Sequence, residues 1–354
     1  MLPRAHGPAR RPWRNPVPPM FLYQPPPPML LYPPTPYGAA IGPPSPYAAV
    51  PYFGHPMPPA AAHTVQLQSV AAANFAAELD RIGSLLPRYP YVVVDTEYPG
   101  TVHHAPAGRR DSDLSPDERY ALVKANVDEL PIVQLGITLC DSHGNLPFVP
   151  DYRYGAFGYH HGGGGGGYGE RAWEVDFSDF DVSRDHHAAQ SVAFLRSQGV
   201  DFDTAARARG VSSAAFGAKL AEVLQRVAGK NVELTWVAFG GAYDLAYLVK
   251  MIGGGQPLPE TRQGFVERVR ELLGGRVFDA KFMAENCGRA DLRGVGLRSV
   301  AANLGAAMPA AADMQPWLAG TKSVTAYRIH TILRLHVLSQ DAVAGFEGII
   351  DGLQ

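Results

Sequence analysis

The sequence VVVDTE, residues 92–97, is the first indication of both the fold and a site. Three β-branched residues in succession predict a buried strand. Side chains two positions apart on a strand share one face, so Asp95 and Glu97 point the same way and repel each other. Two carboxylates placed like this form either a solvated strand end or one half of a metal site, and this segment alone leaves both interpretations open.

The composition of the 354-residue chain limits the classes of protein that it can belong to. A hydrophobic share of 46% is enough for a sizeable core, and a net charge of -2 leaves RNA binding to local features or metal ions. The two cysteines, Cys140 and Cys287, suit a reducing compartment. The basic N-terminus lacks the apolar run of a signal peptide, and no segment has the roughly 18 apolar residues of a membrane helix. We therefore expect a soluble protein without a membrane partner. Its expected locations are the nucleus and the cytoplasm, including processing bodies.

The chain divides into a proline-rich arm and one folded domain. Twenty of the 32 prolines lie in residues 1–60, which predicts a disordered, partly polyproline-II arm over 1–66. The domain covers 67–354, with a glycine-rich loop insert at about 152–170. Its first strands are predicted at 92–97, 131–140 and 173–177, followed by strands that alternate with helices. This order predicts an α/β fold with a mixed sheet flanked by helices.

Further acids follow the later strands. Asp244 lies in the first turn of the helix after the strand at 232–239, and Asp279 opens the helix after the strand at 276–278. An acid at a helix start commonly caps backbone N–H groups. However, Mg²⁺ prefers carboxylate oxygens, and nucleases often hold two such ions ~3.5–4 Å apart. Spacing alone does not choose between a cap and a metal ligand.

Longer strings carry a resemblance to a known family. They are YPYVVVDTEYPG, VDELPIVQLGITLCDSHGNLP, WVAFGGAYDLAYLVKMI and VFDAKFM, in order between about residues 74 and 305. The chain resembles the deadenylase subunits of the CCR–NOT complex, of the carbon-catabolite-repressor-four-associated factor one or POP-two type. The resemblance implies a ribonuclease-H-like fold of the DEDD exonuclease class. It also implies 3′→5′ hydrolysis of poly(A) tails with Mg²⁺ or Mn²⁺, releasing AMP, in mRNA decay.

The resemblance assigns partners and site residues as well. The expected partners are poly(A) RNA, the scaffold subunit of the CCR–NOT complex and a second deadenylase subunit. Asp95, Glu97 and Asp244 match the first three acids of the family and are the expected catalytic and metal-binding residues. Just before the third acid, the family's FHSGYD reads FGGAYD here, so that a His and a Ser are replaced by Gly240 and Gly241.

The last part of the family's site is altered. Where the family has a string like HQAGSDSLLT, this chain has WLAGTKSVTA, so Trp317 replaces the general-base His and Lys322 the fourth acid. Tryptophan cannot accept a proton, and a lysine ammonium repels Mg²⁺. The resemblance therefore implies an incomplete two-metal site. Asp313 and His330 are nearby candidates for the missing roles, although neither has the family's spacing.

Three interpretations of the function follow. The first is a poly(A) exoribonuclease with weakened catalysis, and the second is an inactive deadenylase-like binding subunit. In the second, one hypothesis is that the ammonium of Lys322 pairs with Asp95 and Glu97 in the place of an ion. The third is an intact fold without a role in the complex.

Overall fold

The computed structural model describes residues 65–110, 113–150, 168–306 and 316–354. Within these ranges the strands are β1 (Gln66–Val70), β2 (Tyr91–Glu97), β3 (Gln134–Cys140), β4 (Phe148–Pro150), β5 (Tyr168–Asp176), β6 (Leu234–Ala238) and β7 (Gly275–Asp279). The α-helices are α1 (Phe75–Leu85), α2 (Pro116–Glu129), α3 (Ala189–Ser197), α4 (Thr204–Arg207), α5 (Ser213–Ala228), α6 (Ala242–Ile252), α7 (Arg262–Leu273), α8 (Ala280–Asn286), α9 (Leu297–Asn303), α10 (Ala319–Ile332) and α11 (Gln340–Ala344). None of them is long and apolar enough to cross a membrane.

The strands form one mixed sheet in the order β1-β5-β3-β2-β6-β7, and β4 pairs with β5. Strand β3 is antiparallel to both of its neighbours, β5 and β2, whereas β6 and β7 run parallel to β2. The predicted mixed α/β architecture is therefore confirmed. Because β2 and β6 are parallel and β3 is antiparallel to both of its neighbours, the ends of β2, β5 and β6 and the start of β3 meet at one edge of the sheet.

Local sequence signals placed most elements correctly. Ser115, followed by Pro116 and two acids, has the sequence signal of a helix cap, and it begins α2 with a full capping box in which Glu118 is the reciprocal partner. Gly274 follows an apolar helical stripe, which predicts a helix end, and it ends α7 in the left-handed conformation, with φ of 55°. Gln66, the predicted end of the arm, begins β1, and residues 168–170, at the predicted end of the glycine insert, belong to β5. The rest of the predicted arm and most of that insert lie outside the described residues.

Helices cover both faces of the sheet, and an apolar cluster lies between the sheet and the helices on each face. On one face, side chains such as Val92, Val94 and Trp173 pack against α1, α2, α5, α6 and α7. On the other face, Val93 and Val237 pack against α8, α9 and α10. All residues of β3 are buried because α10 covers the side that bears Gln134, Gly136 and Thr138. The acids at the sheet edge belong to this second face.

Candidate active site

Two parallel strands bring the predicted acids together. Asp95 and Glu97 lie at the carboxyl end of β2, and the chain leaves the adjacent end of β6 through Gly240 and Gly241 into α6. The first turn of α6 carries Asp244. Parallel strands end at the same edge of a sheet, where α/β proteins commonly bind their ligands. The three acids predicted from the sequence therefore lie in one place.

Asp244 is fixed directly to β2. Its Oδ1 accepts a hydrogen bond from the backbone N–H of Thr96 at 2.7 Å and another from the Thr96 hydroxyl at 2.6 Å. Thr96 alternates with the two acids along the strand and was not singled out from the sequence. The two bonds hold the carboxylate of Asp244 beside the end of β2. The neighbouring acid Asp279 has a different role, because it caps α8 and accepts hydrogen bonds from the backbone N–H groups of Gly240 and Gly241.

Helix α10 delivers a lysine to the same place. It approaches β3 so closely that a Cβ atom at Gly136 would lie 2.0 Å from the carbonyl oxygen of Ala319. Within this contact the ammonium Nζ of Lys322 lies 2.6 Å from Oε1 of Glu97. The hypothesis that Lys322 pairs with the β2 acids is thus confirmed for Glu97. Among the described residues Lys322 forms no ion pair with Asp95, which it attracts from a greater distance.

These charged groups shift one another's pKa. Burial raises the pKa of Asp95 well above its usual range, and the Asp244 carboxylate raises it further. For Asp244, burial outweighs the bonds from Thr96 and raises the pKa to about 7. Burial also raises the pKa of Glu97, although Lys322 opposes this shift. Burial alone would lower the pKa of Lys322, but the surrounding carboxylates outweigh it and raise that pKa. The cluster therefore keeps the ammonium charged and favours protons on its acids.

The acids and the lysine line a cleft of about 540 Å³, which we call the Lys322 cleft. Aromatic side chains form part of its wall. Tyr98 and Tyr243 stack with ring centres 4.9 Å apart, and Phe194 is 42% exposed at the opening. Sites for single-stranded nucleic acids combine such rings with a positively charged groove, whereas the floor here carries three carboxyl groups and one ammonium.

The fit of this site to metal ions is poor. In the described ranges, no group of three or more His, Cys, Asp or Glu side chains is arranged to hold an ion. Among the described residues, the Oδ2 atom of Asp95 is buried and has no hydrogen-bond partner, which is compatible with a metal ligand. In contrast, Oε1 of Glu97 forms an ion pair with Lys322. One oxygen of Asp244 is taken by Thr96. The side chains as placed do not fit a two-ion site, and the metal-binding roles expected for the three acids remain a prediction.

Neither Trp317 nor His330 supplies a base to the Lys322 cleft. Trp317 is half-buried and does not line the Lys322 cleft. The guanidinium of Arg298 stacks on the Trp317 ring, 3.9 Å from its centre. His330 is fully buried, between the rings of Tyr91 and Phe278, and both ring nitrogens lack hydrogen-bond partners. It does not line the cleft either. Asp313 lies outside the described residues.

Sequence reasoning missed two further acids on the same face of the sheet. Glu174 and Asp176 lie on β5, and Glu174 accepts a hydrogen bond from the backbone N–H of Gly320 at 2.9 Å. A signal was present, because WEVDF carries acids at positions i and i+2 near a strand end, the same spacing as in VVVDTE.

Comparison with known proteins agrees with this architecture. The model of the family described as CAF1 family ribonuclease matches residues 70–214. The probable CCR4-associated factor 1 homolog 5 of Arabidopsis thaliana is 33% identical over 229 residues, which cover 64% of this chain and 69% of the relative.

Two solved structures show the same fold. The Mg²⁺- and Mn²⁺-bound form of S. pombe Pop2p superposes with a TM-score of 0.63 and 27% identity, covering 81% of this chain and 99% of that one. The CAF1 chain co-crystallized with the yeast NOT1 MIF4G domain gives a TM-score of 0.57 and 20% identity, covering 80% and 96%. The first relative binds divalent metal in its structure, and the second is seen with the NOT1 MIF4G domain.

Proposed function

Because the chain belongs to the CAF1 family of ribonucleases, we propose that it is a deadenylase-type subunit of the CCR–NOT complex whose own catalysis is strongly weakened. One observation carries the second half of this proposal. The ammonium of Lys322 forms an ion pair with Glu97, inside the cleft where the family's last acid is expected. The positive charge that metal ions would bring to the acids is already supplied, in part, by the protein itself.

Two physical arguments predict weak catalysis. An ammonium has no lone pair for a metal ion and repels it, so Mg²⁺ or Mn²⁺ would compete with Lys322 for Glu97. In addition, Trp317 cannot take a proton from water. Loss of a general base alone typically costs ~10²–10⁴-fold in rate. Weak metal binding would add to this loss.

RNA binding is proposed to use the aromatic wall of the Lys322 cleft, where Phe194 exposes its ring and Tyr98 and Tyr243 stack on each other. Base stacking on such rings contributes about 1–3 kcal/mol per base and tolerates any sequence. Poly(A) as the preferred RNA is supported by family membership and not by a base-reading residue. The yeast relative seen with a NOT1 domain supports a scaffold partner for this chain.

The test is hydrolysis of a 5′-labelled poly(A) RNA in Mg²⁺ and in Mn²⁺ by the full chain. We compare the wild type, Asp95→Ala, and the double change Trp317→His with Lys322→Asp. The double change is expected to shorten RNA at least ~10²-fold faster than the wild type. As a matched control, Lys219→Asp makes the same change of charge at a surface ion pair with Asp80 and is expected to leave activity unaltered.

The outcomes separate the proposal from its alternatives. Rapid shortening by the wild type that Asp95→Ala abolishes would show a fully working enzyme and reject weakened catalysis. Complete inactivity of the wild type, with normal RNA binding, would favour the purely binding subunit. Co-purification of the wild type with a NOT1 MIF4G domain tests the scaffold partner separately, and failure to associate would reject the complex-related role.

A further inference from the structure

The sheet face that carries the β2 acids extends across two more strands. Residues directly opposite each other in antiparallel strands point to the same face. Two rows of such residues cross the sheet: Glu97, Gln134 and Asp176 in one row, and Asp95, Gly136 and Glu174 in the other. Helix α10 lies across the middle of these rows at Gly136. It therefore leaves a second opening on its far side, over the end of β5.

This second opening is a cleft of about 510 Å³, which we call the Gln134 cleft. Its floor consists of Gln134, Glu174 and Asp176. Its apolar wall includes Phe177, Phe180 and Phe202. A volume of this size suits a small organic ligand, and an apolar wall with a few polar groups is typical of such sites.

The floor has more hydrogen-bond acceptors than the described residues supply donors for. One oxygen of Glu174 accepts from the backbone N–H of Gly320, and one oxygen of Asp176 accepts from Nε2 of Gln134 at 2.7 Å. Within the described ranges, the other oxygen of each carboxylate accepts no hydrogen bond. Gln134 itself is 4% exposed, and its Oε1 has no partner. Buried acceptors without donors cost free energy, so a ligand that donates to them would be stabilised.

The charges favour a positive ligand. Burial raises the pKa of both Glu174 and Asp176, because their ionised forms are poorly solvated. A cation in the cleft would stabilise those ionised forms. Phe180 and Phe202 pack edge to face, with ring centres 5.4 Å apart, and a cation beside such rings gains attraction from their π electrons.

Among the described residues, the guanidinium of Arg196 lies 5.7 Å from the centre of the Phe202 ring, but Arg196 does not line the cleft. Arg207, at the rim, pairs with Asp181. Arg209, also at the rim, lowers the pKa of Asp176 by its charge, but it forms no ion pair among the described residues. The floor carboxylates are therefore available to an external cation.

We propose that the Gln134 cleft binds an organic cation, a guanidinium or primary ammonium on a short aliphatic stem. The head group donates hydrogen bonds to Glu174, Asp176 and Gln134, and the stem lies along the phenylalanine wall. A guanidinium fits best, because its five planar donors can serve several acceptors at once. The cation comes either from a free small molecule or from an arginine or lysine side chain of a partner protein.

Calorimetric titration of the full chain with agmatine tests the proposal. Agmatine carries a guanidinium and a primary ammonium at the two ends of a short stem. Butylguanidine, which lacks the ammonium, is expected to bind through its guanidinium, and butylurea is its neutral analogue. Agmatine is expected to bind, and butylurea is not. The floor variant, Glu174→Gln with Asp176→Asn, is expected to weaken agmatine binding about tenfold or more, the value of one charged hydrogen bond. The matched control, Glu233→Gln with Asp341→Asn, removes the same charge from exposed positions and is expected to bind like the wild type.

Three further measurements sharpen the result. Affinity is expected to increase as the pH rises through the raised pKa of the floor carboxyls, because their ionised forms attract the cation. If the floor variant does not fold, Phe202→Leu keeps the charges and is expected to weaken binding about threefold or more through loss of the ring. An acetyl-Gly-Arg-Gly-amide peptide that binds as well as agmatine identifies a protein side chain as the source, and failure of the peptide identifies a free small molecule.

Other outcomes overturn the proposal. They are no binding of agmatine, equal binding to the wild type and the floor variant, or equal binding of butylurea. Tight binding of Mn²⁺ that the floor variant removes and that agmatine cannot displace would show a metal site instead.

Discussion

The ammonium Nζ of Lys322 lies 2.6 Å from Oε1 of Glu97, although the two residues lie far apart in the sequence. The ion pair is mostly buried, and it joins the first turns of α10 to the end of β2. A nuclease of this family is expected to have a carboxylate at this place. The lysine reverses the charge there and stabilises acids that would otherwise repel one another.

Reversal of this charge is expected to create a metal requirement. Lys322→Asp places a fourth carboxylate beside Asp95, Glu97 and Asp244, and loss of one partner of a buried ion pair typically costs about 3–5 kcal/mol. In chelator, the thermal midpoint is therefore expected to fall below that of the wild type. In millimolar Mn²⁺ it is expected to rise again, because an ion that binds only the folded state stabilises it by mass action. Thermal unfolding measures both effects.

The control for this prediction is Arg226→Asp, at an exposed ion pair with Asp80. Surface ion pairs contribute about 0–1 kcal/mol, so both the loss of stability and the response to Mn²⁺ are expected to be small. If Mn²⁺ stabilises the wild type as much as Lys322→Asp, the lysine does not oppose metal binding.

Close contact between α10 and β3 requires a glycine. Gly136→Ala would place a Cβ atom 2.0 Å from the carbonyl oxygen of Ala319, a backbone atom that can move only with the helix. Overpacking of this kind typically costs about 1–3 kcal/mol, and we expect at least that loss in urea unfolding. Gly296→Ala is the control, since a Cβ atom there meets nothing within 4 Å. Equal stabilities of the two variants would contradict the proposed contact.

Buried His330 is expected to make stability fall in acid. Burial, helped by Arg334, lowers its pKa to about 3, whereas an unfolded histidine has a pKa of about 6.5. Between these values the unfolded chain binds a proton that the folded protein does not, so stability decreases as the pH falls. The loss is about 1.4 kcal/mol per pH unit, or roughly 2 kcal/mol from pH 6.5 to pH 5.

His330→Leu is expected to remove this part of the pH dependence. Denaturant unfolding at pH 5 and pH 7 measures it as the difference between the variant and the wild type at each pH. His336→Leu, at an exposed position near the end of the same helical segment, is the control and is expected to retain the dependence. An unchanged slope in His330→Leu would mean that His330 is protonated in the folded state.

The bond between Thr96 and Asp244 is expected to contribute measurable stability. Thr96→Val keeps the shape and the backbone donor but removes the hydroxyl at 2.6 Å from Oδ1 of Asp244. A hydrogen bond to a charged group is worth about 1.5–3 kcal/mol, which is the loss expected in urea unfolding at pH 8. Thr204→Val, at an exposed position, is expected to change stability by less than about 0.5 kcal/mol. A neutral Thr96→Val would show that the backbone bond alone holds Asp244.

Local patterns predicted the central strands and many helices because their signals lie within a few residues. Alternation marked β3, a cap marked the start of α2, and Gly274 marked the end of α7. β1 was missed, since QLQSV has no clear alternation and gains its place only by pairing with β5. The covering of β3 by α10 was missed for the same reason, because it depends on contact between distant segments.

The sequence by itself determined that Asp95 and Glu97 share a face, that acids follow the next strands, and that the chain resembles one family. These are properties of short-range spacing and of residue identity. Only the tertiary structure decided that the ammonium of Lys322 reaches Glu97, that His330 is buried away from the cleft, and that α10 separates two acidic openings. The physical reason is that an ion pair or a cleft depends on distances between distant residues, and packing of α10 on Gly136 sets those distances.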